Sequence, residues 1–124
     1  MNGHIHGQRF TATRPGFYTV GFRFVDASTN GAAGGPIHTP SDVFEVYFQG
    51  GVSIASLDQT GGVTTVTVGT VFGRSFQLEY NIDLANVTGW MPIGFPASGT
   101  DHLLSLRDTN AVDSRRFYRV AISP

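Results

Sequence analysis

The sequence predicts an all-β protein: an antiparallel β-sandwich of immunoglobulin or fibronectin-III type, read as two small packed modules. Three observations predict it. Apolar residues recur at every second position in successive runs, no stretch sustains a 3.6-residue period, and turn-forming pairs punctuate the runs. Composition points the same way, because sixteen glycines among many Thr, Val and Phe residues, with only 14% charged residues, favour strands and tight turns over helices. A chain of 124 residues, 40% of them hydrophobic, holds material for one domain or two small ones.

Taken in order, residues 1–7 are polar and glycine-flanked, as in a frayed terminus. Residues 9–13 alternate weakly and predict a short strand that ends at Arg14-Pro15-Gly16. The strongest strand follows in residues 15–26, PGFYTVGFRFVD, with Tyr18, Val20, Phe22 and Phe24 on one face. Residues 26–40 show no hydrophobic period, and at about 15 residues such a loop is long for a small domain and often functional. Residues 43–49, VFEVYFQ, form the next strand and present Phe44, Val46 and Phe48. Those seven apolar side chains are expected in one core, with Phe22 as a central aromatic.

Gly50-Gly51 breaks the pattern and divides the chain into a partial module, residues 1–50, and a second module, residues 51–124. The second module contains six expected strands. Residues 52–57 and 63–68 are joined by the turn-forming Asp58-Gln59-Thr60-Gly61-Gly62. Residues 76–82 place Phe76, Leu78, Tyr80 and Ile82 on one face. Residues 90–93, 103–107 and 117–122 complete the set, the last with Tyr118, Val120 and Ile122 on one side. Three strands in the first module leave an apolar face that needs a covering partner, whether the second module, further sequence or another subunit.

Several function classes lose support from composition. A net charge of −1, with no lysine and mostly scattered arginines, gives no electrostatic footprint for nucleic acid. No apolar run approaches the roughly 20 residues of a membrane span. The first ten residues lack the apolar stretch of a signal peptide, so the chain is expected to be intracellular or a mature or excised piece. Without cysteine there is neither a disulfide nor a thiolate metal site.

The chemistry that remains is sparse. His4 and His6 lie two apart, so in an extended backbone they face one side with Cα atoms roughly 6.5–7 Å apart. Two imidazoles so placed suit zinc or copper, and a third ligand is needed: His38 first, with Asp26 or Asp42 behind it. The alternative is a terminal segment whose histidines bond backbone or water. Ser98, Asp101 and His102 do not read as a triad, because adjacent Asp and His cannot orient each other and no nucleophile elbow is present. Asp108 and Asp113 read as turn caps or partners of Arg115. Tyr47, Trp90 and Phe95 could stack on a sugar, although aromatics on alternating strands more often form core. No carboxylate pair or nucleophile stands out, so no enzyme is expected.

Two stretches resemble known families. Residues 3–49, GHIHGQRFTATRPGFYTVGFRFVD followed by PIHTPSDVFEVYF, resemble the end of the choice-of-anchor M, or surface-anchored wall-repeat, domain of bacterial exported proteins. The matching positions are His4, His6, Phe10, Pro15, Gly16, Phe17 and Tyr18, with Arg9-Phe10 where many members carry tryptophan. Residues 76–120, with Trp90 and Arg116-Phe117-Tyr118-Arg119-Val120, are similar to the fibronectin-type-III-like C-terminal module of large bacterial surface proteins. The resemblances imply an extracellular or cell-surface location, a C-terminal portion of an exported precursor, and a metal connection through the uptake systems of such relatives. Together these readings favour a non-enzymatic structural surface module that self-associates into a fibre or contacts other surface proteins. A metal-binding accessory module on His4, His6 and His38, and a carbohydrate-binding module, are the alternatives.

Overall fold

Strand β4, Val63–Gly69, shows how this sequence becomes a sandwich. Its alternating Val and Thr residues suit a pleated surface, and Thr64, Val66, Val68 and the following Thr70 are buried on one side. The computed structural model describes residues 9–124, and these are all-β, with the three- and four-stranded antiparallel sheets packed face to face.

In the first sheet β4 is central. Strand β3, Ile54–Thr60, pairs with one edge of it and Leu103–Asp108 with the other. The turn between β3 and β4 is only Gly61-Gly62, shorter than the five-residue turn the sequence suggests. Both glycines have positive φ, 59° and 79°, which a two-residue hairpin of this hand requires. In the second sheet β5, Ser75–Asn81, is central. The short strands β6, Met91–Pro92, and β7, Ala97–Ser98, share one of its edges; the sequence places the first slightly early and misses the second. With Leu103–Asp108 as β8, the last strand is β9, Phe117–Ser123, which runs along the whole other edge of β5.

The core lies between the sheets. Val66 and Val68 from β4 and Leu106 from β8 meet Phe76 and Leu78 from β5. Val52, Ile93, Ala97, Leu104, Tyr118, Val120 and Ile122 pack around them. Close approach is built in at Gly99, where a Cβ would come within 1.9 Å of the Val71 carbonyl oxygen. Ile82, expected on the buried face, lies just past β5 and is 53% exposed.

The contacts divide the chain into two units, with Tyr18–Phe48 as one and the sandwich, together with the described residues up to Phe17, as the other. The smaller unit is built on a two-stranded ribbon of β1, Phe17–Phe22, and β2, Phe44–Gln49. Gly16 and Gly50 exchange both backbone hydrogen bonds at its root. Phe22, Phe24 and Phe44 share a face as the alternation predicts: Phe44 lies 6.0 Å from Phe22 and 5.4 Å from Phe24, centroid to centroid.

These residues do not form the expected core. Phe24 is 74% exposed, Phe44 42% and Tyr18 36%, while Val20, Phe22, Val46 and Phe48 are half-buried. The physical reason is that a two-stranded ribbon has no second layer of its own. Residues 9–13 are another departure: they are exposed and belong to no strand.

Candidate functional site

The chemistry of the sandwich gathers at one end of the core, where the inward faces of β8 and β9 turn polar. Along β8, Leu104 and Leu106 point inward, so the same period brings Asp108 inward, and it is 2% exposed. A carboxylate there is costly unless it is paired. Its Oδ2 accepts from Arg116 Nη1 at 2.5 Å and from the Tyr118 hydroxyl at 3.0 Å, while Oδ1 accepts from the Asn110 N–H at 3.0 Å. Tyr118 Oη also lies 3.2 Å from the Thr64 hydroxyl, tying β9 across to β4.

Arg116 is the hub of this cluster. Its guanidinium stacks 4.1 Å over the Tyr80 ring and donates from Nε to Asp113 Oδ2 at 2.6 Å. The sequence reading offered Asp108 and Asp113 as turn caps or partners of Arg115: Asp108 does cap a turn through the Asn110 N–H, but the arginine partner of both is Arg116. Arg115 lies outside the cluster, 5.4 Å from the Phe117 ring, and donates to the Ile82 carbonyl at 3.4 Å. Strand parity held the missing signal: counting inward positions along β8 reaches Asp108.

The electrostatics follow from these contacts. Burial pushes the Asp108 carboxyl up, but the Asn110 N–H, Arg116 and Tyr118 outweigh it and hold the group below the ordinary carboxylate value. Burial, reinforced by Asp108, raises the Tyr118 hydroxyl. For Arg116 burial opposes the charge, and the two carboxylates more than compensate.

A depressed carboxylate contributes stability that is complete above its unfolded-state pKa and is lost as pH falls through the folded one. The thermal midpoint should therefore fall in acid below about pH 4. The Asp108→Asn variant should lack that component of the acid slope, and an identical slope in both proteins would contradict the assignment.

Beside the cluster opens a cleft of about 270 Å³. Leu57 and Gln59 of β3 line it, with Thr64, Tyr118 and the loop residues 113–116. It offers an apolar wall at Leu57 and the hydroxyls of Thr64, Ser114 and Tyr118, while Arg116 is paired with Asp108 and Asp113.

Of the predicted metal ligands, the structure describes His38, Asp26 and Asp42. His4 and His6 lie outside the described residues. His38 is exposed, and its backbone N–H, rather than its ring, reaches Asp26 Oδ2 at 3.0 Å. Asp26 also accepts from the N–H groups of Ser28 and Ile37, which closes the loop on itself. The Ser28 N–H first, and then that of His38, hold its carboxyl below the ordinary value. Asp26 is thus a loop-closing acceptor, and Asp42 is exposed. Among the described residues no three His, Asp or Glu side chains converge as a metal site.

Of the aromatics, Trp90 carries the Arg119 guanidinium 4.4 Å above its ring, and Arg119 also bonds Glu79 Oε2 at 2.6 Å. Phe95 is 94% exposed, and Tyr47, on the ribbon, donates to Glu45. Asp101 accepts from the Phe72 N–H, 29 residues away in sequence, and so ties two loops together. No helix among the described residues is long and apolar enough to cross a membrane. Compared with protein-family models, curated proteins and solved structures, the chain finds no significant match.

Proposed function

We propose that the chain is a non-enzymatic structural module of an extracellular surface, and that it works by self-association. The observation that carries this reading is the contrast between where its charges and its aromatics sit. Asp108, Asp113 and Glu79 are each engaged by an arginine, and Asp26 by backbone N–H groups, so these carboxylates hold the fold together. Phe24 and Phe44, by contrast, stack on each other at a surface exposed to water. An exposed aromatic cluster on a ribbon with two outer edges suits contact with another chain. The extracellular setting rests on the resemblances of residues 3–49 and 76–120.

Sedimentation velocity tests the proposal. The purified chain should form concentration-dependent oligomers, and Phe24→Ser/Phe44→Ser should weaken them while leaving thermal unfolding of the sandwich unchanged. A monodisperse monomer at the highest attainable concentration would overturn it.

A further inference from the structure

We propose that Asn30 is a deamidation site gated by the loop that carries it: the closed loop withholds the reacting nitrogen, and opening of the loop releases it. The site lies within the Tyr18–Phe48 unit, and its chemistry does not depend on the self-association proposed above.

The reaction starts from the dipeptide Asn30-Gly31. A side-chain amide followed by glycine is the arrangement most prone to cyclise, because glycine has no Cβ to hinder approach to its own nitrogen. The Gly31 backbone nitrogen attacks Asn30 Cγ, a new C–N bond forms, and the bond from Cγ to the side-chain nitrogen breaks. Ammonia leaves with the proton that the Gly31 N–H gives up. Water then opens the cyclic imide at either carbonyl and leaves aspartate or isoaspartate at position 30. Water is the only other reactant, and Asn30 is exposed to it.

The backbone restrains this step. The Gly31 N–H donates to the Gly35 carbonyl at 2.8 Å, and the Gly31 carbonyl accepts from the Gly34 N–H at 3.2 Å. The nitrogen that must attack is thus held with its proton pointing into the ring of residues 31–35, and the planar peptide groups on both sides of Gly31 are pinned. Packing adds a second restraint, because a Cβ built on Gly31 would collide with the carbonyl oxygens of Pro36 and Gly35. With backbone that close behind it, Gly31 turns its nitrogen over Asn30 Cγ only when the ring opens.

Asp26 keeps the ring closed. Its Oδ1 accepts from the Ser28 N–H at 2.8 Å, just before Asn30, and its Oδ2 accepts from the Ile37 and His38 N–H groups at 3.0 Å each, just after Pro36. One carboxylate therefore joins both arms of the loop. Next to it the Ser41 N–H donates to the Phe24 carbonyl at 3.0 Å, and Ser41 Oγ accepts from the Phe24 N–H at 2.9 Å. Deamidation then runs at its intrinsic rate multiplied by the fraction of time the loop is open. The change is one-way: isoaspartate adds a carbon to the main chain between residues 30 and 31, so the arms no longer meet Asp26 in register. The chain keeps a covalent record of loop opening.

Ageing the full chain at neutral pH, followed by tryptic mapping, tests the site. The peptide of residues 24–74 contains Asn30 as its only asparagine, so its deamidated form reports this position. Folded wild type should deamidate at least about tenfold more slowly than the same chain in guanidinium chloride, the factor being set by the open fraction of the loop. Asp26→Ala should remove most of that difference while the sandwich keeps its thermal unfolding, and hydrogen exchange at the Ile37 and His38 amides should rise with it. Asn30→Gln should abolish the conversion. Equal rates in folded and unfolded wild type would overturn the gate. So would an Asp26→Ala chain that exchanges freely at Ile37 and His38 yet deamidates at the wild-type rate, and amides still protected in that variant would overturn Asp26 as the tie.

Discussion

Replacing Asp108 by alanine should destabilise the sandwich by roughly 3–5 kcal/mol, the cost of breaking a buried ion pair from one side. The loss is large because Arg116 stays where it is, its side chain 9% exposed and held against Tyr80. Without Asp108 its partner is Asp113, whose side chain is 40% exposed and whose attraction is screened by water. Tyr118 and the Asn110 N–H lose their acceptor in the same step. Urea unfolding measures the change, with Asp113→Ala as the comparison expected to cost far less. Because well-packed apolar residues can replace a buried pair without penalty, Asp108→Leu/Arg116→Met should recover much of the loss. A cost below about 1 kcal/mol for Asp108→Ala would place the pair among surface ion pairs.

Phe76→Ala should cost about 3–5 kcal/mol, as expected for truncating a fully buried aromatic. Phe76 is 0% exposed and sits at the centre of the five-residue core, opposite the valines of β4. Its neighbour Ala97, on β7, is too small to fill the space left behind. The informative comparison is Phe24→Ala on the ribbon, which removes the same atoms from a side chain 74% exposed and should change stability by well under 1 kcal/mol. Equal costs at the two positions, read from chemical denaturation, would contradict this placement of the core.

The two phenylalanines look alike in the sequence. Each opens or closes an alternating apolar run, and each shares a face with its predicted neighbours: Phe76 with Leu78, Phe24 with Phe22 and Phe44. Alternation is a property of the extended backbone itself, so local sequence is enough to reveal strands, faces and the β-class of the chain. The glycine pair at 61–62 was legible for the same reason, since turn chemistry is local too.

Burial is decided elsewhere. Whether a face is core depends on a second layer, and that layer comes from strands distant in sequence. Phe76 meets one, whereas the ribbon, with two strands, supplies none for Phe24. The candidate site divides along the same line. Asp108 could be placed inward by counting along β8, but the choice of Arg116 over its neighbour Arg115 needed the packing of β9 across β4 and β5. Sequence by itself determined which residues can share a face; tertiary structure decided which faces are covered, because coverage is a contact between layers and periodicity describes only one.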